Sequence, residues 1–92
     1  MSNKRVRIVV TGRVQGVFFR QSLKIIAKKN NIFGWVKNLK DGSVESVLEG
    51  NTENVRKTID WAHIGPANSI VDNVEIHNEK FITEFSKFDI LY

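Results

Sequence analysis

The chain has no cysteine and a single proline, Pro66, in its 92 residues. Without cysteine there is no disulfide, no thiolate nucleophile and no thiolate metal ligand, a composition that suits a reducing compartment. No apolar run approaches the roughly 20 residues a membrane helix needs, so no membrane partner is expected. Met1-Ser2-Asn3-Lys4-Arg5 leads directly into alternating apolar residues, not into the continuous apolar block of a secretory signal. These absences predict a cytoplasmic location. No internal repeat, low-complexity tract or linker is visible, and residues 1–92 read as one domain with room for one sheet-and-helix core. Hydrophobic residues make up 41%, ordinary for a globular chain and too many for a disordered one.

Acid is missing from the first part of the chain. Residues 1–40 carry Lys4, Arg5, Arg7, Arg13, Arg20, Lys24, Lys28, Lys29, Lys37 and Lys40, and not one Asp or Glu. All ten acidic residues and the other four basic ones follow, which gives a formal net charge of only +4. A carboxylate-free stretch attracts anions if its charges converge in space, and is otherwise a solvated basic face. The asymmetry sets the sign of a ligand without identifying one.

Val6, Ile8 and Val10 alternate with Arg5, Arg7 and Val9 in the period-2 pattern of a strand. Gly12 to Gly16 interrupts it. From Phe19 the period becomes helical, with Phe19, Leu23, Ile26 and Ala27 on one face and Lys28 and Lys29 in the last turn. Asn30-Asn31 supplies a left-handed ending. Phe33-Gly34-Trp35-Val36 begins a second strand, Asp41-Gly42 makes a hairpin turn, and residues 43–49 return as a third strand. Asn51 or Thr52 caps a second helix with Val55, Thr58, Ile59 and Ala62 facing the core, and Gly65-Pro66 stops it. Ile70, Val71, Val74 and Ile76 suggest a fourth strand. Beyond it, Phe81 and Phe85 fall in one phase and Phe88, Ile90 and Tyr92 in the other, which a turn or bulge near Ser86-Lys87 would reconcile. The order predicts an α+β, ferredoxin-like βαββαβ sandwich: an antiparallel sheet with both helices on one face.

Two stretches carry chemistry. Thr11-Gly12-Arg13-Val14-Gln15-Gly16-Val17-Phe18-Phe19-Arg20 runs from a strand end through a Gly-containing loop into a helix. Backbone N–H groups in such a loop, with the unpaired first N–H groups of the helix, can cradle a phosphate. Gly16 would admit the anion without a Cβ in the way, and Arg20 could add a two-pronged donor. A tight turn beside an exposed arginine is the plainer alternative, and the Walker pattern Gly-x-x-x-x-Gly-Lys-Ser/Thr is missing. In Gly34-Trp35-Val36-Lys37-Asn38-Leu39-Lys40-Asp41-Gly42-Ser43-Val44-Glu45, Asn38 ends a strand with an amide able to hold a water. It could equally serve only the Asp41-Gly42 turn.

Together the two stretches resemble the two motifs of the acylphosphatase family. The resemblance continues through Glu49-Gly50, Gly65-Pro66, Val71-Asp72 and Phe88-Asp89-Ile90-Leu91-Tyr92. Asn30-Asn31 and Ser69-Ile70 depart from it, away from the site, and the first departure asks Asn31 to take the left-handed position. The family likeness implies a monomer that hydrolyses the carboxyl–phosphate anhydride of acyl phosphates with no metal or other cofactor. It implies that the backbone of Gln15, Gly16, Val17, Phe18 and Phe19 binds phosphate, that Arg20 binds it too, and that Asn38 orients the attacking water. Inorganic phosphate is then product and inhibitor, and nucleic acid is not expected as a partner.

The chemistry tolerates so few side chains. A carboxylate leaving group has a parent acid with a pKa of about 4 and departs without a general acid. Phosphoryl transfer asks mainly for positioning and charge stabilisation. Other chemistries lack their parts: His63 and His77 sit fourteen apart without metal-motif spacing, and the aromatic motif of RNA-binding ferredoxin-like domains is absent. Core packing is the expectation for Trp35, Phe18 and Phe19, a structural role that for Tyr92, and a solvated position that for Asp41 and Glu45.

Overall fold

A computed structural model describes residues 2–92. The elements are β1 (Asn3–Arg13), α1 (Phe19–Lys29), β2 (Phe33–Asn38), β3 (Val44–Asn51), α2 (Thr52–Ile64), β4 (Ile70–Glu79) and β5 (Phe88–Ile90). They form one sheet in the order β4-β1-β3-β2-β5. The β4-β1, β1-β3 and β3-β2 pairs are antiparallel, in the ferredoxin-like βαββαβ arrangement expected. The fifth strand adds a pairing that was not foreseen: β5 runs parallel to β2, with Gly34 opposite Phe88, so the sheet is mixed.

The period-2 pattern explains the core. Val6, Ile8 and Val10 of β1, Val36 of β2, Val44 and Leu48 of β3 and Val74 of β4 are buried with Phe19, Leu23 and Ala27 of α1 and Val55 and Ala62 of α2. Each large apolar side chain buried there contributes about 1.5–3 kcal/mol before chain entropy is counted. α1 closes as foreseen: Asn31 takes φ 56, and the N–H of Ile32 donates to the carbonyl of Ala27 at 2.8 Å. The N–H of Asn31 donates to Lys28 at 3.2 Å, which completes a Schellman ending. Asn51 caps α2, its side chain accepting from the N–H groups of Glu53 and Asn54.

The other sheet face mixes charged side chains with the buried Val47. Glu49 is 2% exposed there, and it accepts from the backbone N–H groups of Ile82 at 3.3 Å and Phe85 at 3.5 Å. Arg5 lies 3.8 Å from Glu49, bonds Glu79 and Glu84, and sits over the Phe85 ring at 5.0 Å. Residues 80–87 thereby cross from β4 at one sheet edge to β5 at the other. That crossing, with a bend at Ser86 and Lys87, accounts for the two phases of aromatic residues.

One irregularity positions the loop that follows β1. The strand persists through Gly12 and Arg13, where a break had been expected, with its register against β4 shifting between Thr11 and Gly12. A Cβ on Gly12 would meet the carbonyl oxygen of Ile70 at 2.1 Å, so only glycine fits this bulge. The bulge re-aims the strand end into residues 14–18, which connect to α1.

Candidate active site

Residues 14–18 turn between β1 and α1. Gly16 has φ 75 and Phe18 φ 63, both left-handed, and Val17 between them is not. Alternating handedness of this kind can turn successive N–H groups toward one side, a nest arrangement that suits an anion. Among the described residues, no N–H of residues 15–18 donates to another backbone carbonyl. α1 starts beside it with no side-chain cap, so its first N–H groups remain available too. A Cβ on Gly16 would meet no protein atom within 4 Å. What glycine supplies here is the left-handed backbone and a clear approach for a ligand.

Val14, Gln15, Gly16, Phe18, Phe19, Arg20, Gln21 and Asn38 line a single cavity of about 210 Å³. The structure therefore brings the two sequence stretches together. Asn38 is the last residue of β2, paired with Val44, and its Oδ1 is buried without a hydrogen-bond partner. Orphaned buried acceptors are rare in native folds and call for an explanation. Arg20, half-buried in the first turn of α1, places its guanidinium 5.0 Å over the ring of Tyr92. Tyr92 lies beyond β5 and is exposed, so it is not the strand-end residue that the alternating pattern suggested. Its contact with Arg20 was out of reach of sequence reasoning, since it depends on β5 joining the edge beside α1.

Gln15 has a second function. Its Nε2 donates to the carbonyls of Leu39 at 2.8 Å and Ser43 at 2.9 Å, tying the loop to the β2–β3 turn that follows Asn38. The side chain is thus committed to protein, and only its backbone is left to meet a ligand. The turn is fastened again by Asp41, which accepts from the N–H of Ser43 at 2.9 Å and from its hydroxyl at 2.5 Å. The Ser43 hydroxyl first, and then its N–H, hold the Asp41 carboxyl below its ordinary pKa. Asp41 is therefore a working part of the turn and more than a solvated charge.

The aromatic residues divide. Phe19 is 2% exposed and packs against Trp61 with ring centroids 5.4 Å apart, as expected of core. Trp35 is half-buried under Lys37. Phe18 is 75% exposed, which overturns the expectation that it packs in the core. His63 is exposed, and His77 pairs with its neighbour Glu75 on β4. Among the described residues, no group of three or more His, Cys, Asp or Glu is placed to share a metal. No helix of the described residues is long and apolar enough to cross a membrane. A second cavity of about 380 Å³, between α1 and the β2–β5 edge, shares no lining residue with the first.

The fold is a ferredoxin-like α+β sandwich in which Arg20, Asn38 and the loop after β1 share one cavity beside an uncapped helix start. Comparison with known proteins names the family. Residues 6–90 match the family model described as Acylphosphatase. The acylphosphatase of Pyrobaculum aerophilum is 46% identical over 92 residues, covering 99% of this chain and 97% of the relative. That of Pelotomaculum thermopropionicum is 40% identical over the full length of both chains. The crystal structure of acylphosphatase from Bacillus subtilis superposes with a TM-score of 0.93 at 33% identity, covering 99% of this chain and 100% of that one. The chain belongs to the acylphosphatase family, whose activity is the hydrolysis of acyl phosphates.

Proposed function

We propose that the chain hydrolyses the carboxyl–phosphate anhydride by direct attack of water on phosphorus. The backbone of residues 15–19 and the Arg20 guanidinium hold the phosphate, and Asn38 aligns the water. One observation carries this reading: Asn38, whose Oδ1 is buried with no protein donor, lines the same cavity as Arg20 and the loop residues Gln15, Gly16, Phe18 and Phe19. An acceptor with no protein donor suits the O–H of a water, and holding that water fixes the direction of its lone pair.

The charge balance follows. Phosphoryl transfer concentrates negative charge on the peripheral phosphate oxygens, which fixed N–H dipoles and a forked guanidinium stabilise without reorganising. As the water oxygen bonds to phosphorus, the P–O bond to the acyl oxygen breaks and its electron pair leaves with the carboxylate. That carboxylate needs no general acid, because it is a weak base whose conjugate acid has a pKa of about 4. The water proton passes to a phosphate oxygen of the substrate, so no side chain acts as base. Tyr92 restrains Arg20 by its ring face, a contact worth about 0.5–1 kcal/mol when exposed.

We also propose that the enzyme acts as a cytoplasmic monomer and without a metal, with inorganic phosphate as a competitive inhibitor. Hydrolysis of benzoyl phosphate in ¹⁸O-enriched water with excess chelator tests it. The label should enter inorganic phosphate and not benzoate, at a rate the chelator leaves unchanged. Label in the carboxylate would place attack at the carbonyl carbon and refute the scheme. Loss of rate restored by a divalent cation would refute metal independence.

A further inference from the structure

Phe18 breaks three local rules at once. It holds a left-handed backbone, φ 63 and ψ 28, a conformation that disfavours a residue with a large Cβ substituent. It occupies the N-cap of α1, where Ser, Thr, Asp or Asn would bond the free N–H groups and a phenyl ring cannot. It leaves a large apolar ring 75% exposed. Among the described residues, the ring has no aromatic or cation partner. Asn would hold the left-handed backbone at far lower cost. Local costs that bring no return within the fold concentrate where a ligand provides one.

Its position says which ligand. Of the apolar residues lining the cavity, Val14 and Phe19 are buried and only Phe18 is exposed. Gln15 is committed to the β2–β3 turn, Asn38 to the water, and Arg20 to the phosphate. The part of the substrate that projects from the nest is the acyl group, since the phosphate is what the nest holds. The exposed side chains of the lining that remain for it are Phe18 and Gln21.

We propose that the Phe18 ring contacts the acyl group and biases this enzyme toward acyl phosphates with an aromatic or extended apolar acyl part. Acetyl or carbamoyl phosphate, whose acyl groups are too small to reach the ring, gains nothing from it. The proposal rests on the acyl phosphate hydrolysis above and assigns a specificity-determining residue within that site. A ring laid against an aromatic acyl group is worth about a factor of ten.

Comparing kcat/KM for benzoyl and acetyl phosphate in the wild type, Phe18→Ala, Phe18→Asn and Phe18→Tyr tests this. The ratio between the substrates, not either rate, is the readout, because a disturbance of the nest acts on the shared phosphate and cancels. The benzoyl-to-acetyl ratio should fall about tenfold in Phe18→Ala and in Phe18→Asn, the second keeping the left-handed backbone comfortable. Phe18→Tyr should retain it. An unchanged ratio in folded Phe18→Asn, with both substrates still hydrolysed, overturns the Phe18 assignment and leaves the hydrolysis standing. A wild type that hydrolyses neither substrate overturns the activity and this proposal with it.

Discussion

Asn38→Ala separates catalysis from stability. The Asn38 backbone is fixed independently of its side chain: it pairs with Val44, and the next residue is bound through its carbonyl by Gln15 and through its N–H by Ser43. Removing the amide should leave the nest and Arg20 in place. No protein donor pairs with the Asn38 Oδ1, so its removal breaks no protein hydrogen bond there and the thermal midpoint should hold. Catalysis should fall. Misplacing an attacking group by about an ångström costs on the order of a hundredfold, equivalent to about 2.7 kcal/mol on the barrier. Steady-state hydrolysis of benzoyl phosphate, the Ki of inorganic phosphate and a melting curve together read all three quantities. The expected result is a hundredfold loss in kcat, an unchanged phosphate Ki and an undiminished midpoint. Wild-type kcat in the folded variant would refute water alignment by Asn38.

A Cβ at Gly16 meets no protein atom, but Gly16→Val must hold φ 75, so about 1–2 kcal/mol of stability should go while phosphate Ki rises more than tenfold; a falling midpoint with an unchanged Ki would leave Gly16 a turn residue only. Glu49→Ala removes the acceptor that holds residues 80–87, while Arg5 keeps Glu79 and Glu84, so the cost is that of two unsatisfied N–H groups, about 1–3 kcal/mol. The midpoint should fall by about 5–20 °C at about 4–8 °C per kcal/mol, and limited proteolysis should cut within residues 80–87. Resistance there would show that the crossing is held by other contacts. Asp41 has its folded pKa depressed, so its contribution is present above the unfolded value of about 3.9 and is lost as pH falls through the lower folded value. Melting curves between pH 7 and 2 should show a shallower acid-side decline for Asp41→Asn than for the wild type; parallel declines would deny Asp41 that part in stability.

Most of the fold was open to sequence reasoning because its local signals agree with its packing. Val6, Ile8 and Val10 alternate and all face the helices, and Asn31 takes the left-handed ending that Asn30-Asn31 announced. The last stretch was not. No local pattern in residues 80–87 says that they cross the open sheet face, because what holds them is a buried carboxylate 33 and 36 residues away in the chain. Parallel pairing of β5 with β2 follows from that crossing and was equally hidden. At the site, the residues alone left open a plain turn at Gly12 to Gly16 and an Asn38 that serves only the Asp41-Gly42 turn; it was the likeness to the acylphosphatase motifs that singled out residues 15–20 and Asn38. Phe18 was misjudged because aromatic residues are usually buried, and nothing local signals a left-handed N-cap occupied by phenylalanine. Gln15 was read as part of the phosphate cradle only, and its side-chain tie to the β2–β3 turn needs the two stretches side by side to be seen.

The central claim is that the nest and Arg20 hold the phosphate of the substrate. Its most direct test is the Ki of inorganic phosphate, measured with kcat/KM for benzoyl phosphate in Arg20→Ala and Arg20→Lys. A charge-assisted hydrogen bond contributes about 1.5–3 kcal/mol, so Arg20→Ala should raise the Ki and lower kcat/KM by about ten- to a hundredfold or more. Arg20→Lys keeps the charge without the planar fork and should recover little of either. Folded Arg20→Ala with wild-type Ki and kcat/KM would contradict the account.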